Sequence, residues 1–359
     1  MKKLNVGASR PAADTAWSSA AHELVRRTLA QHGLDQNAGE AIGDALPNMV
    51  RLDELKDRFT SPMTGRAARA VPSTPGARFD RTTFSCRAGS RDYLTYVPAS
   101  AKDRVNGVIM MLHGCTQTPE DFAAGTGMNA LAEEHGLVIV YPAQSRGDNA
   151  QSCWNWFNRR DQQRGQGEPA ILAGIAAKVC AAHGVGRERN FVAGLSAGAA
   201  MAVILGDVYG DVFAAVGAHS GLPAGVARDV GSAYAAMAGN AVEQMQTTAK
   251  TQPTRTIIFH GTGDKTVHRS NSDAIARRAC GDAAQCIETT ATGTTAGRSY
   301  TCTLAYGPDG SALVEHWSID GLGHAWSGGK PEGSYADTKG PDASAEMVRF
   351  FLDTPKGTI

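Results

Sequence analysis

The sequence has no excess of charge of either sign and no long apolar run. Its 35 basic and 35 acidic side chains give a formal net charge of +0. The basic excess typical of nucleic-acid-binding proteins is therefore missing, and we expect no nucleic-acid partner. No stretch of roughly 18 apolar residues occurs, so no membrane span is predicted. The hydrophobic content of 42% over 359 residues is typical of one large globular domain with additions, or of two small domains.

The amino terminus lacks the apolar segment that follows the basic residues of a secretory signal. Lys2 and Lys3 are followed by polar and small residues, so this stretch does not read as a signal peptide. We therefore expect a cytoplasmic protein, and the initiator methionine supports that expectation. Secretion by way of a signal that has been trimmed from the sequence stays an open alternative.

The seven cysteines include no C-x-x-C pair, which argues against a zinc site and against a thioredoxin-like redox pair. Their odd number leaves at least one thiol without an intramolecular disulfide partner. Cys115 and Cys153 lie in predicted loops that would surround one shared site, so a bridge between them is left open. Cytosolic thiols are usually reduced, which counts against that bridge.

The chain divides into two predicted regions. Helical periodicity over residues 17–29, 38–46 and 52–59, followed by a Pro/Gly/Arg-rich linker, predicts a helical extension over residues 1–80. Residues 81–359 alternate strand-like and helical stretches, as in a mostly parallel, doubly wound α/β sheet with helices on both faces. The strands are predicted at residues 92–98 (an outer strand), 107–114, 137–142, 214–220, 255–261 and 314–320. Helices are predicted over residues 119–136 and 169–183.

The stretch "FVAGLSAGAAM" places Ser196 between two glycines in the pattern G-x-S-x-G. A strand, a tight turn and a helix with this pattern form a nucleophile elbow, which presents the serine hydroxyl at the top of a sheet. Glycine at positions 194 and 198 is needed because a side chain there would collide with the crowded turn. An incidental serine in a glycine-rich turn is the alternative, so the remaining groups of a hydrolytic site are needed to support the motif.

An acid and a base follow Ser196 in the chain order of an α/β-hydrolase. Asp264 comes directly after a predicted buried strand, and His324 follows the next such strand in "GLGHAWSGG". Sites in open α/β sheets collect at these carboxyl ends of strands. We predict that His324 takes the proton of Ser196 and that Asp264 orients the imidazole. Chain order and placement favour His324 and Asp264 over the other candidate histidines and acids, which are His113, His219, His260, His268, His316, Asp148 and Asp320.

The oxyanion hole needs two backbone N–H groups directed at the developing negative charge. Ala197 supplies one, since it follows the nucleophile at the start of a helix. Cys115, in the loop after an early strand, is the candidate for the other. His113 and His219 are predicted to line the pocket. Trp154, Trp156 and Trp326 either form an apolar wall for an acyl unit or pack beneath a loop.

The motifs "MLHGCTQTPEDFA", "SCWNWF", "GLSAGAAM" and "GLGHAWSGG" together resemble the polyhydroxybutyrate (PHB) depolymerase family of esterases, near the feruloyl and acetyl-xylan esterases. The resemblance covers roughly residues 82–352. It implies an α/β-hydrolase fold, no cofactor, a triad at Ser196, Asp264 and His324, and oxyanion donors at Cys115 and Ala197. The first 80 residues match no motif, and we expect no polymer-binding segment after the last predicted helix.

These observations predict a serine esterase for short-chain hydroxyalkanoate esters or polyester oligomers. A feruloyl or acetyl-xylan esterase is an alternative. So is a hydrolase of an anionic polyamide such as poly(aspartic acid), suggested by Arg159, Arg160 and Arg164, although such a charge run is more typical of a solvated surface. A further alternative, from another functional class, is a binding protein with a relict hydrolase domain. The oligomeric state is open, including a homodimer. Residues 222–252 are predicted to form a crossover helix and a partial cover over the pocket.

Overall fold

A computed structural model describes residues 74–101, 104–240, 254–281, 287–307 and 310–353. The helices expected at 17–29, 38–46 and 52–59 lie outside this part of the chain. The division into residues 1–80 and 81–359 therefore stays a prediction.

The fold is built on a ten-stranded sheet with the order β1-β2-β4-β3-β5-β6-β7-β10-β9-β8. Its central strands, from β4 to β10, run parallel, and the strands at both edges are antiparallel. The ten strands are β1 (Arg78–Cys86), β2 (Gly89–Val97), β3 (Gly107–Leu112), β4 (Leu137–Pro142), β5 (Asn190–Leu195), β6 (Ala215–His219), β7 (Arg255–Gly261), β8 (Ile287–Thr295), β9 (Arg298–Tyr306) and β10 (Ala312–Ile319). A separate parallel pair is formed by β11 (Trp326–Ser327) and β12 (Ala336–Asp337).

Helices cover both faces of this sheet. The described α-helices are α1 (Pro119–Thr126), α2 (Met128–His135), α3 (Gly167–His183), α4 (Ala197–Val208), α5 (Val230–Met237), α6 (Ser270–Cys280) and α7 (Ala343–Leu352). Short 3-10 helices occupy Ala99–Ala101, Arg159–Gln162 and Arg187–Arg189.

Two apolar clusters fill the space between the sheet and its helices, one on each face. Strands β3, β4 and β5 are buried along their whole length, because helices pack on both of their faces. On one face, Phe351 of α7 stacks on Phe191 of β5 with ring centroids 4.8 Å apart. On the other face, α3 and α4 contribute Ile175 and Met201 to the second cluster. The predicted α/β class with a mostly parallel sheet is confirmed.

The single helix expected over residues 119–136 is wrong, because the structure has α1 and α2 there. Gly127 separates them in the left-handed conformation, with φ of 63°, which ends α1. Thr118 begins α1 by accepting a hydrogen bond from the amide of Asp121, at 3.2 Å.

The sheet edges also differ from the expectation. The predicted outer strand at residues 92–98 is β2, but β1 lies outside it, and the hairpin β8–β9 extends the opposite edge. Neither β1 nor β8 has an apolar alternation that would reveal it, since most residues of both strands are exposed.

Candidate active site

The candidate site lies where neighbouring parallel strands end. Strands β5, β6, β7 and β10 are adjacent and parallel, so their carboxyl ends meet at one edge of the sheet. Ser196 follows β5, Asp264 follows β7 and His324 follows β10. The structure therefore brings all three predicted triad residues to the same edge.

Ser196 occupies a strained turn between β5 and α4. Its φ of 56° and ψ of −119° are rare for a residue with a side chain. A methyl group on Gly198 would overlap the carbonyl oxygen of Leu112, and one on Gly194 would overlap the carbonyl carbon of Gly198. Only glycine allows these backbones to meet, so the predicted reason for both glycines agrees with the geometry. The amide of Ser196 donates to the carbonyl of His219 at 2.9 Å, which ties the turn to β6.

Asp264 and His324 form a hydrogen-bonded pair. The imidazole Nδ1 lies 2.8 Å from Oδ2 of Asp264, and since a carboxylate only accepts, Nδ1 carries the proton. Nε2 is then free to accept a proton, as a general base requires. The other carboxylate oxygen of Asp264 accepts from the amides of Thr266 and Val267, at 2.9 and 3.0 Å.

The surroundings of Asp264 favour its charged form. Burial opposes ionisation, but the hydrogen bond and charge of His324 and the amide of Val267 outweigh it and lower the pKa of Asp264 to about 2. His260 lies beside the pair, with Nε2 3.5 Å from Asp264 and 2.9 Å from the carbonyl of Val267, to which it donates. Burial, as the largest influence, lowers the pKa of His260, so this neighbour is neutral.

A close backbone approach holds the histidine loop against the acid loop. The carbonyl oxygen of Leu322 lies where a side chain on Gly261 would start, and it accepts from the amide of Gly263 at 3.0 Å. The amide of Thr262 donates to the carbonyl of Ile319 at 2.9 Å. These contacts place His324 against Asp264 although the two are far apart in sequence.

The competing acids and bases bond elsewhere. Asp148 pairs with Arg91 at 2.6 Å, and the carbonyl of exposed Asp320 accepts from Arg298 at 3.2 Å. His316 lies within β10, with Nε2 3.1 Å from the hydroxyl of Ser272.

His113 and His219 are buried rather than lining an open pocket. Nε2 of His219 accepts from the amide of Ser327 at 3.0 Å, and Nε2 of His113 accepts from the amide of Gln144 at 3.1 Å. Burial lowers the pKa of His219 to about 3 and that of His113 to about 4, so both rings stay neutral at neutral pH. Each imidazole therefore holds a neighbouring loop, and substrate contact by either stays a prediction.

The three tryptophans are also buried. Trp154 donates from its indole nitrogen to the carbonyl of His113 at 3.0 Å, and Trp326 donates to Ser344 at 3.0 Å. Trp326 is stacked on His219, with centroids 5.1 Å apart. Trp154 and Trp326 expose at most 1% of their surface and Trp156 exposes 6%, so burial favours the packing alternative over a wall against substrate.

The two predicted oxyanion donors lie in different elements. Ala197 is the first residue of α4, and Cys115 lies in the loop that follows β3. The disulfide left open by the sequence is present: Cys115 is bonded to Cys153, with Cα atoms 4.3 Å apart. The amide of Thr116 also donates to the carbonyl of Gln151 at 2.8 Å. The loop that holds Cys115 is thus fastened to the loop over residues 143–166, and the oxyanion role of both amides stays a prediction.

Sequence reasoning missed the buried acid that supports this second loop. Glu168 accepts from the amide and side chain of Asn155 at 2.8 and 2.9 Å and from the side chain of Gln144 at 2.5 Å. Arg91 lies 3.7 Å away. Burial, as the dominant influence, raises the pKa of Glu168 to about 7. An acidic residue at the start of a helix is unremarkable in sequence, so no signal marked this contact.

The arginines noted in the sequence do not act as one group. Arg164 forms a two-pronged salt bridge to Asp211, at 2.6 and 2.7 Å, and lies over the ring of Tyr209. Arg159 and Arg160 are exposed on the neighbouring 3-10 turn. The solvated-surface interpretation fits Arg164 best, since its charge is already neutralised.

The predicted cover is described only as far as residue 240. Its helix α5 contacts the acid loop, because the amide of His268 donates to the carbonyl of Met237 at 2.8 Å. Ala236 is fully buried in this contact, and Asn271 donates to its carbonyl at 2.9 Å. The cover function of the segment stays a prediction.

No described helix is both long and apolar enough to span a bilayer. Within the described ranges, no three His, Cys, Asp or Glu side chains are grouped in a way that would hold a metal ion.

Comparison with known proteins gives a family and several relatives. Residues 91–297 match the family described as Esterase PHB depolymerase. Poly(3-hydroxyalkanoate) depolymerase C of Paucimonas lemoignei is 28% identical over 257 residues, which are 68% of this chain and 60% of that protein. Poly(3-hydroxybutyrate) depolymerase of Ralstonia pickettii is 29% identical over 38% of this chain and 31% of its own length. The chain thus spans less than two thirds of either depolymerase.

Acetylxylan esterases are also similar. Probable acetylxylan esterase A of Aspergillus fumigatus is 26% identical over 42% of this chain and 40% of its own. The solved acetyl xylan esterase of Aspergillus awamori superimposes with a TM-score of 0.58 at 19% identity, covering 77% of this chain and 99% of that one. This superposition shows the shared fold.

Asp264→Asn is expected to lower kcat for a p-nitrophenyl ester by roughly 10⁴ while the protein stays folded. An amide can donate to Nδ1, which favours the tautomer whose Nε2 carries the proton and cannot act as a base. Asp320→Asn is the matched control, because Asp320 is exposed and the one hydrogen bond described above is made by its main-chain carbonyl, which accepts from Arg298 of β9. A greater loss from Asp320→Asn than from Asp264→Asn would overturn the assignment of the acid.

Cys153→Ser is expected to reduce both stability and turnover. Opening a loop with a sequence separation of 38 should lower the free energy of unfolding by about 2–4 kcal/mol. The released loop should also lower kcat, by less than the roughly 10²–10³ that removal of an oxyanion donor costs. Urea unfolding and steady-state kinetics measure the two effects, and Cys86→Ser, which changes an exposed free cysteine, is the control. Unchanged kcat in folded Cys153→Ser protein would show that the bridge does not position Cys115.

Acid is expected to destabilise the protein between pH 6.5 and about 4. An unfolded histidine binds its proton near pH 6.5, whereas His219 and His113 do so only at about 3 and 4, so the unfolded state holds more protons in this window. The stability these rings contribute is present above pH 6.5 and is lost as the pH falls, at about 1.4 kcal/mol per pH unit for each ring.

Urea unfolding of wild type and His219→Gln at pH 7 and pH 5 checks this expectation. The difference in unfolding free energy between the two pH values should shrink by about 2 kcal/mol in the variant. His135→Gln, at the surface of α2, is the control. A difference as large in His219→Gln as in wild type would contradict the prediction.

Proposed function

The chain belongs to the PHB depolymerase family of esterases, and we propose that its substrates are short-chain hydroxyalkanoate esters or oligomers of such polyesters. It is a carboxylic ester hydrolase of α/β-hydrolase fold. The geometry that best supports a serine mechanism is the 2.8 Å bond between His324 and Asp264 at the strand edge that also carries the strained Ser196. The substrate class is supported by the similarity to depolymerase C of Paucimonas lemoignei over 257 residues.

In the proposed mechanism, Oγ of Ser196 adds to the ester carbonyl carbon while Nε2 of His324 takes the hydroxyl proton. The backbone amides of Cys115 and Ala197 donate hydrogen bonds that stabilise the negative charge developing on the carbonyl oxygen. The carbon–oxygen bond to the alcohol then breaks, and His324 gives its proton to the departing oxygen. Water then adds to the carbonyl carbon of the acyl-enzyme while His324 takes its proton. The bond to Oγ of Ser196 breaks, His324 returns the proton to Oγ, and the carboxylic acid is released.

An acetyl-xylan esterase is the second candidate. Acetylxylan esterases occur among both the sequence relatives and the structural neighbours. The same triad would remove acetyl groups from a polysaccharide, because the carbonyl chemistry is identical and only the alcohol differs. The anionic-polyamide alternative has less support, since the charge of Arg164, which is exposed like Arg159 and Arg160, is neutralised by Asp211.

Hydrolysis of 3-hydroxybutyrate trimer, acetylated xylan, methyl ferulate and poly(aspartic acid) at equal enzyme concentration tests the proposal. We expect the highest kcat/KM on the hydroxybutyrate trimer. Ser196→Ala should lower kcat by on the order of 10⁴–10⁶ on every substrate and should abolish labelling by a fluorophosphonate probe. Preference for acetylated xylan would replace the substrate proposal. Ser196→Ala protein with more than a tenth of wild-type activity would remove the serine mechanism.

The cytoplasm remains the proposed location. The Cys115–Cys153 bridge argues the other way, because disulfides persist mainly in oxidising compartments. Alkylation of free thiols immediately after cell lysis distinguishes the two: a reduced pair would support the cytoplasm, and an oxidised pair would support export.

A further inference from the structure

Tyr335 lies between two loops of the candidate site. Its hydroxyl is 3.4 Å from the hydroxyl of Thr116, the residue that follows the predicted oxyanion donor Cys115. Its carbonyl accepts from the amide of Trp326 at 2.7 Å, and Trp326 is two residues beyond His324. One residue thus contacts both the oxyanion loop and the histidine loop.

The backbone on either side of Tyr335 is firmly anchored. The amide and hydroxyl of Ser334 donate to the carboxylate of Asp121 at 2.9 and 2.5 Å, and Gln117 donates to the carbonyl of Ser334 at 3.0 Å. On the other side, Ala336 pairs with Trp326 in the β11–β12 ladder. These contacts leave the main chain of Tyr335 little freedom to move.

The conformation of Tyr335 is unfavourable, and the residue is exposed. Its φ is 50°, in the left-handed region that an aromatic residue rarely adopts, and Thr116 beside it has a φ of 66°. The residue as a whole remains 44% exposed, whereas the three tryptophans proposed from the sequence expose 6% or less. Strained residues persist where the surrounding contacts determine them, and they concentrate at functional sites.

We propose that Tyr335 is a specificity-determining residue whose ring contacts the acyl chain of the ester. The oxyanion loop fixes the carbonyl oxygen, so the acyl carbons attached to that carbonyl start beside Cys115 and Thr116. The alcohol lies toward His324, which must protonate its oxygen. The ring of Tyr335, next to Thr116, therefore offers its apolar face to the acyl part, and longer acyl chains bury more of that face.

The inference rests on the proposed serine esterase function but not on the identity of the polymer. We therefore choose p-nitrophenyl acetate and p-nitrophenyl hexanoate as substrates, which share one leaving group and differ only in acyl length. If the protein does not hydrolyse hydroxybutyrate trimer, the proposed substrate class is wrong. The role of Tyr335 is tested separately, by the ratio of kcat/KM between these two chromogenic esters.

Tyr335→Gly and Tyr335→Asn remove the ring with residues that tolerate a positive φ, so the loop can keep its path. Both are expected to lower the hexanoate-to-acetate ratio of kcat/KM by about 10-fold, chiefly through KM for hexanoate. Tyr335→Phe keeps the ring and should restore the wild-type ratio within about twofold. Tyr306→Asn is the control, because Tyr306 pairs with the first residue of β10, at the end of that strand opposite the one that leads to His324.

A ratio that stays at the wild-type value in both folded ring-deletion variants would overturn the proposal. So would a parallel loss on both esters, since that is the result of a merely structural role. Ethyl acetate and hexyl acetate separate the acyl from the alcohol side: selective loss on hexyl acetate would place the ring against the alcohol and contradict the acyl assignment.

Discussion

The contact between the backbone of Gly198 and the carbonyl oxygen of Leu112 is the constraint on which the candidate site depends. Strands β3 and β5 are paired in parallel, with Leu112 opposite Gly194, so the first turn of α4 must pass over the end of β3. A single methyl group at position 198 would prevent that approach. Because that methyl group is absent, the start of α4, with Ser196 and Ala197, can lie against the end of β3, from which the loop holding Cys115 begins.

The buried imidazoles show why one histidine among several is suited to base catalysis. His113 and His219 each accept a backbone hydrogen bond and are kept neutral by burial, so their nitrogen atoms are committed to holding loops. His260 donates to a carbonyl beside the acid. His324 keeps 13% of its side chain exposed and has one nitrogen bound by Asp264. Of these four histidines, His324 combines a partly exposed ring with a direct hydrogen bond to the acid, as the proposed base requires.

Substrate choice in this fold depends on loops rather than on the sheet. The triad edge is compatible with depolymerases and acetylxylan esterases alike, since acyl transfer from an ester is the same reaction in both. The described loops differ in what they offer: the 143–166 loop is fastened by a disulfide and by Glu168, whereas the 328–342 loop presents the exposed ring of Tyr335. A site that presents an exposed aromatic residue such as Tyr335 can select among esters by the size of their apolar part.

The sequence by itself determined the α/β class, the elbow at Ser196 and the placement of Asp264 and His324 after buried strands, because glycine spacing, apolar runs and chain order are local properties. The sequence did not predict the helix break at Gly127 or the edge strands β1 and β8. An exposed strand has no hydrophobic alternation to reveal it, and a single glycine leaves the helical periodicity on either side unchanged. Only the tertiary structure decided that Cys115 bonds Cys153, that Trp154 and Trp326 are buried, and that Tyr335 is exposed beside Thr116. Each of these features depends on contacts between segments that are distant in the sequence. Thr116 and Tyr335, for example, are more than 200 residues apart, and no local sequence pattern predicts their contact.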